Sequence, residues 1–231
     1  DVLRRAETDE KWQIHSDQEV SGDIFCEEAK KEDLAELACF AEKQLSKLAE
    51  VYTVHDIAYF EQRMQEVECE GGSLILIRKE KEICGYFLAL KKDREAWEIV
   101  VEDAVQKKAF PAVLHWFGES KEKCTFTAFP QIWEQYAQSE NVPAIMGRIV
   151  HLERFVCCLK IKKEQEWKIR LTDSLIPENN GYFIIKTGIE GGSLIRVENL
   201  SEKEKKMFCS MDIGQLTEEL FRLPVFLNEV V

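Results

Sequence analysis

The chain has 231 residues, 45% hydrophobic and 32% charged, which is enough to bury the core of one large domain or two of ordinary size. Its 43 acidic and 31 basic residues give a formal charge of −12, which argues against a nucleic-acid partner and favours cationic ones. Without an apolar run of the roughly 20 residues that span a bilayer, and without a secretory leader, we expect a cytoplasmic protein that does not bind membranes.

Helical patterns dominate the first part of the chain. Residues 1–28 have no sustained period and are interpreted as a lead-in or linker. From Ala29, leucine and alanine recur at helical spacing, and a second amphipathic helix is expected over residues 54–69. Its buried stripe would contain Ile57, Phe60, Met64 and Val67.

Strand patterns follow. The segments "EGGSLILIRKE", "KEICGYFLALKK" and "AWEIVVEDA" are short, apolar and separated by turns, so they predict an antiparallel meander. A helix is predicted from "FPAVLHWFGES", with Pro111 near its first turn, and another strand from "KCTFTAF". These elements predict a mixed α and β domain over residues 29–140.

A second domain is predicted over residues 141–231. "VPAIMGRIVHLERFVCCLK" indicates a strand running into a helix, and "EWKIRLTD", "GYFIIKTG" and "GSLIRVEN" indicate three strands. "DIGQLTEELF" predicts a helix that Asp212 could cap. The hexamer "EGGSLI" occurs at residues 70–75 and 190–195, but the flanking sequences do not align, so reuse of turn chemistry explains it better than duplication.

Catalytic motifs are scarce. The four histidines are scattered, so they do not predict a metal site, and the sequence has neither a G-x-S-x-G elbow nor a Walker loop. The eight cysteines include no C-x-x-C pair, which predicts reduced and mostly buried thiols. Cys157 and Cys158 are expected to pack rather than react. By themselves these residues identify no catalytic centre.

The segment "VEDAVQKKAFPAVLHWF" joins a predicted strand to a predicted helix, as does the Q/R-x-x-G-x-G/A loop of GNAT-type acetyltransferases. In that family, backbone N–H groups of the loop hold the pyrophosphate of acetyl-CoA. Gln106 matches the motif, but Ala109 and Pro111 replace the two glycines, and proline has no N–H to offer. The resemblance therefore implies a GNAT-like domain without a working cofactor loop.

The segments "MGRIVHLERF", "KIRLTDSLIPENNGYFIIKTG" and "DIGQLTEELF" resemble the sterol-carrier-protein-like domain at the C-terminus of the Eis (enhanced intracellular survival) family of bacterial N-acetyltransferases. The resemblance runs from about Ala29 to Val231 and is most specific from Pro143 onward. It implies an α+β fold in which a GNAT-like mixed sheet with helices precedes a sterol-carrier-protein-like α/β domain. It also implies that an N-terminal catalytic domain, which would bind acetyl-CoA, precedes Asp1, in agreement with the missing initiator methionine.

The chain ends in the apolar segment "FRLPVFLNEVV". The family resemblance implies that the terminal carboxylate of Val231 enters the catalytic domain and serves as general base, while Glu229 and Phe226 line the substrate pocket. From the residues alone, a docked last strand is the better explanation of the apolar tail, because tying down a terminus needs only contacts. Glu229 would then be a solvated charge and Phe226 a core residue.

Three functions remain open. The first is the C-terminal part of an acetyl-CoA-dependent N-acetyltransferase, without a metal, that acetylates aminoglycoside-like amines or lysine side chains and is inactive as this chain alone. Full-length relatives in the family form hexamers, so a homo-oligomer is implied. The second is a carrier of lipid or acyl chains. The third is a purely structural region that supports oligomerisation.

Overall fold

The computed structural model describes residues 4–8, 23–49, 51–118, 123–128, 137–140, 148–161, 164–221 and 225–226. The described chain forms two compact units. The first contains the described residues before 141 together with residues 225–226, and the second contains residues 148–221. Both units mix α-helices with β-strands, so the fold is α+β with two mixed sheets.

The first unit is built on a seven-stranded sheet in the order β2-β4-β5-β6-β7-β1-β8. Neighbouring strands are antiparallel except β6 and β7, which are parallel. Its elements in chain order are β1 Arg4–Thr8, β2 Ile24–Glu28, α1 Leu34–Leu48, β3 Val51–Tyr52, α2 Ile57–Cys69, β4 Ser73–Lys79, β5 Glu82–Leu90, β6 Glu95–Val101, α3 Gln106–Trp116, β7 Thr125–Ala128 and β8 Ala137–Glu140. Because β1 and β2 are members of the sheet, the segment interpreted as a lead-in contributes two strands to this unit.

Helices cover both faces of this sheet. Helices α1 and α2 pack on one face through residues such as Leu37, Phe60 and Leu88, and α3 packs on the other through residues such as Phe110 and Phe87. Strands β4, β5 and β6 are therefore buried on both faces. That burial explains why their sequences are nearly continuous apolar runs instead of alternating patterns.

The predicted helices and meander are confirmed, with corrections at the helix starts. Helix α2 begins at Ile57. Asp56 is its N-cap residue, and the Asp56 carboxylate accepts a hydrogen bond from the Tyr59 N–H at 2.8 Å. Ile57 was expected in the buried stripe but is 46% exposed, because it lies at the open first position of the helix. Helix α3 begins at Gln106, so Pro111 lies in the helix interior rather than near its first turn.

The second unit contains a four-stranded sheet in the order β11-β10-β9-β12, antiparallel except for the parallel pair β9 and β12. Helices α4 and α6 share one apolar core with this sheet. The elements are α4 Leu152–Cys158, β9 Gln165–Thr172, β10 Gly181–Gly188, β11 Gly191–Val197, α5 Glu202–Lys205, β12 Cys209–Asp212 and α6 Ile213–Phe221.

The three predicted strands of this unit and the helix after Asp212 are confirmed. The Asp212 carboxylate accepts from the Gln215 N–H at 2.8 Å, and Gln215 Oε1 accepts from the Asp212 N–H at 2.9 Å. The strand expected before α4 does not extend into residues 148–151, and residues 141–147 lie outside the described chain. Strand β12 was not predicted, because its sequence "CSMD" is short and has no apolar alternation.

The turn between β9 and β10 is organised by the buried Asp173. Its carboxylate accepts hydrogen bonds from Asn179 Nδ2 at 3.0 Å, from the Leu175 and Ile176 N–H groups at 2.9 and 3.0 Å, and from Arg148. These donors, Asn179 first, lower the pKa of Asp173 from 3.8 to about 2. The Asp173 carboxylate therefore fixes the conformation of this turn.

One further strand, β13 Val225–Phe226, pairs in parallel with β3, so that Val225 lies opposite Val51 and Phe226 opposite Tyr52. The described part of the C-terminal segment therefore belongs with the first unit.

Candidate functional site

A bulge in β6 turns Glu98 towards the α1 and α2 side of the sheet. Glu98 adds one residue to β6 relative to both neighbouring strands, and the pairing register shifts there. Ala96 and Ile99 consequently face α3, whereas Trp97 and Val100 face the opposite layer with Glu98. Glu98 has a φ of 54°, a left-handed conformation that costs a residue with a side chain roughly 1–2 kcal/mol.

The Glu98 carboxylate is buried among donors from three elements, and the residue is 1% exposed. Its Oε1 atom lies 2.9 Å from His55 Nε2, 3.0 Å from the Tyr59 hydroxyl and 3.4 Å from the Tyr86 hydroxyl. Its Oε2 atom lies 3.7 Å from Arg63 Nε. We call these five residues the Glu98 cluster.

His55 bridges this cluster to the backbone that follows β3. Its Nδ1 atom lies 2.5 Å from the Thr53 carbonyl oxygen, and its Nε2 atom faces Glu98. Because a carbonyl oxygen only accepts hydrogen bonds, Nδ1 donates to Thr53, and Nε2 makes the second hydrogen bond of the ring with the carboxyl group of Glu98. Burial, followed by the Glu98 charge, raises the pKa of Tyr86 well above 10.0, so its hydroxyl keeps its proton and donates.

The Glu98 cluster was not predicted from the sequence. His55 was treated as one of four scattered histidines, and Glu98 as part of an apolar strand. The sequence signal for this cluster is the single carboxylate of Glu98 inside the apolar segment "AWEIVV". If that strand is buried on both faces, such a carboxylate must be exposed, paired or functional.

The predicted C-terminal residues lie mostly outside the described chain. Glu229 and Val231 are not among the described residues, and only the backbone of Phe226 is described, as part of β13. Strand β13 lies beside β3, and β3 ends at Tyr52, the residue directly before Thr53.

The connection between β6 and α3 does not fit the pyrophosphate of acetyl-CoA. A single turn of 3-10 helix at Asp103–Val105 fills the connection, and it brings the carboxylates of Glu102 and Asp103 to the start of α3. Asp103 Oδ1 accepts a hydrogen bond from Gln106 Nε2 at 3.0 Å. Two carboxylates at a helix start repel an anion. Lys108 adds an exposed positive charge in the first turn, but this charge does not supply a backbone cradle.

The two positions that replace the motif glycines also lie away from a loop. Ala109 is in α3 and is fully buried in the core on that side of the sheet, and Pro111 follows it in the same helix. Gln106 is the first residue of α3. The segment predicted to carry the altered loop is therefore helical along its whole length.

The cysteines are more exposed than the sequence predicted. Cys157 and Cys158, which lie on α4, are exposed. Three cysteines in other elements are also exposed, namely Cys39, Cys69 and Cys209. Burial raises the pKa of Cys26 to about 12 and that of Cys84 to about 11. Among the residues that the structure describes, no group of three or more His, Cys, Asp or Glu side chains could hold a metal ion. None of the described helices is long and apolar enough to cross a bilayer.

No protein-family model matches the chain, and no curated protein does. Solved structures do match. A conserved protein of unknown function from Enterococcus faecalis V583, described as a probable N-acyltransferase, aligns with a TM-score of 0.57 at 12% identity, over 94% of this chain and 56% of its own. A GCN5-related N-acetyltransferase from Anabaena variabilis ATCC 29413 aligns with a TM-score of 0.54 at 14% identity, over 93% of this chain and 56% of its own.

At these identities the likeness concerns the fold, which is that of part of a GCN5-related N-acetyltransferase. The chain spans little more than half the length of these solved proteins. Eis1 from Mycobacterium abscessus aligns with a TM-score of only 0.40 at 11% identity, over 93% of this chain and 56% of its own. The GNAT-like fold is thus confirmed, whereas the Eis-like placement and the sterol-carrier-like assignment remain predictions.

Proposed function

We propose that this chain is the C-terminal two-domain part of an acetyl-CoA-dependent N-acetyltransferase that acts on amines, either aminoglycoside-like small molecules or lysine side chains. The observation that carries the proposal is the fold likeness to N-acetyltransferases over nearly the whole chain and about half of theirs. The net charge of −12 suits cationic acceptors.

Acetyl-CoA binds outside the first unit in this proposal. The carboxylates of Glu102 and Asp103 just before α3 and the buried Ala109 support this, because a phosphate site needs exposed N–H groups and no adjacent carboxylates. A domain not contained in this chain would supply the cofactor site, and the chain alone would be inactive.

The terminal carboxylate of Val231 would act as general base and accept a proton from the acceptor amine. An apolar tail suits this role, since partial desolvation makes a carboxylate a stronger base. Glu229 and Phe226 would line the acceptor pocket. The pairing of β13 with β3 supports a tail whose course is set by the first unit.

Native mass spectrometry of this chain, with and without acetyl-CoA, tests the cofactor proposal. We expect an unchanged mass in both spectra, and an acetyl-CoA adduct would contradict the proposal. The variant Glu102→Gln/Asp103→Asn separates the effect of charge from that of backbone shape, because it removes the two carboxylates but introduces no glycine. If it gains an adduct, charge rather than backbone shape excludes the phosphates.

The base assignment is tested in the complete polypeptide that contains this sequence. Adding one glycine after Val231 keeps every side chain but displaces the carboxylate, so kcat should fall about 100-fold or more. Val230→Ala keeps the carboxylate and should change kcat little. An unchanged kcat in the extended protein would exclude the terminal carboxylate as base.

The alternatives of a lipid carrier and of a purely structural region have no specific observation in their favour. The described core of the second unit packs as one cluster that includes Ile169, Phe183 and Leu216. A lipid-sized adduct in the first mass spectrum would nevertheless put the carrier function first. Sedimentation of the complete polypeptide tests the proposed hexamer.

A further inference from the structure

We infer that Glu98 is a positioning residue for the C-terminal strand and acts on β13 through His55 and β3. A strand pair of two residues each has too few contacts to stay formed by itself. Strand β13 is such a pair with β3, so its stability depends on how firmly β3 is held.

Two side-chain contacts hold β3. The Tyr52 hydroxyl donates to Glu42 of α1 at 2.8 Å, on the outside of the unit. On the inside, His55 binds the Thr53 carbonyl at 2.5 Å through one nitrogen and faces Glu98 at 2.9 Å through the other. The segment that receives β13 is therefore fastened to α1 on one side and to β6 on the other.

The inner fastening depends on Glu98. His55 is 2% exposed and stacks on Tyr59 with ring centroids 4.0 Å apart. Its Nδ1 contact with Thr53 keeps its geometry only while the ring is held in place, and Glu98 binds the opposite end of the ring. The bulge in β6 is what brings the carboxylate to this side of the sheet.

A buried polar pair is seldom the most stable way to fill a core, since apolar residues of similar size often stabilise a protein as much or more. Fixing one conformation is the role that a buried pair of this kind can play. In the Glu98 cluster, the conformation that is fixed is that of β3, which pairs with β13, and of the residues that follow it up to His55. Its importance for catalysis rests on the proposed function, whereas the placement of the strand does not.

Hydrogen–deuterium exchange of the whole chain tests the inference. In Glu98→Gln we expect exchange in residues 51–56 and 225–226 to become roughly tenfold faster, because β3 opens locally. The matched control is Glu27→Gln, which removes another carboxylate from the same sheet, where it binds Arg78. Residues 73–90 of β4 and β5 report general destabilisation in both variants.

The inference is overturned if Glu98→Gln speeds exchange of the C-terminal peptide no more than Glu27→Gln does. His55→Asn covers the case in which Glu98→Gln does not fold, because asparagine can keep the donor to Thr53 and cannot reach Glu98. A C-terminal peptide as protected as in the unmodified chain would then overturn it. Released tails with unchanged kcat in the complete polypeptide would support the positioning role and contradict the Val231 base, and protected tails would contradict the positioning role whatever happens to kcat.

Discussion

His55 and Glu98 are 43 positions apart in the chain, yet Nε2 of His55 lies 2.9 Å from Oε1 of Glu98 in the interior of the first unit. Both side chains are almost fully buried. The contact joins the segment before α2 to the bulge in β6, and it is the centre of the Glu98 cluster.

Removing Glu98 should destabilise the first unit strongly. Glu98→Ala leaves His55 and two tyrosine hydroxyls without their acceptor, so we expect the free energy of unfolding to fall by about 3–5 kcal/mol. The double variant Glu98→Leu/His55→Leu should lose less, because it removes the His55 ring together with its acceptor and fills the space with apolar side chains. Urea unfolding followed by circular dichroism measures both, and a double variant that loses as much stability as Glu98→Ala would contradict a coupled pair.

Asp173 should make the second unit acid-sensitive. Its pKa is about 2 in the folded chain, below the ordinary value of 3.8, so the ionised form stabilises the fold. That stabilisation is complete above about pH 4 and is lost as the pH falls towards 2. Asp173→Asn should flatten this part of the dependence of Tm on pH. Glu178→Gln, an exposed change in the same turn, should leave the profile as it is, and an equal effect of both variants would contradict the assignment.

The repeated "EGG" turns should differ between their two glycines. A Cβ atom at Gly72 would lie 2.4 Å from the Ala89 carbonyl oxygen, and one at Gly192 would lie 2.1 Å from that of Val156. Alanine there must push backbone apart, so we expect losses of about 3 kcal/mol at either site. Gly71 has a φ of 80° but open space around it, and Gly71→Ala should cost only about 1 kcal/mol. Thermal unfolding of the three variants gives the comparison, and equal losses at Gly71 and Gly72 would refute the steric explanation.

Thiol alkylation should separate the cysteines into two groups. At pH 8, iodoacetamide should modify the exposed thiols within minutes in the native chain, and Cys26, Cys84 and Cys124 only after denaturation, because burial keeps these three protonated. Peptide mass mapping identifies the modified sites. Rapid native labelling of Cys84 would show that its strand opens. The exposed group is Cys39, Cys69, Cys157, Cys158 and Cys209.

The elements that the sequence predicted are those in which nearby residues decide the structure. Helix α1 follows from leucines at helical spacing, and α6 from Asp212 placed before it as a cap. The meander follows from apolar runs between turns. Strand β1 lies in the segment that the sequence indicated to be a lead-in, and strand β12 was not predicted. Neither strand has a local pattern, and each forms only where a neighbouring strand offers hydrogen bonds.

The sequence by itself determined the composition, the two-domain order, most helices and the central strands, because periodicity and turn residues act over a few positions. Only the tertiary structure decided that Glu98 faces His55, that Cys157 is exposed and that the segment from Gln106 to Pro111 is helical rather than a loop. Those features depend on a bulge that reverses which face a residue occupies and on contacts between distant segments. Neither leaves a periodic trace in the chain, so the candidate site had to be read from the folded protein.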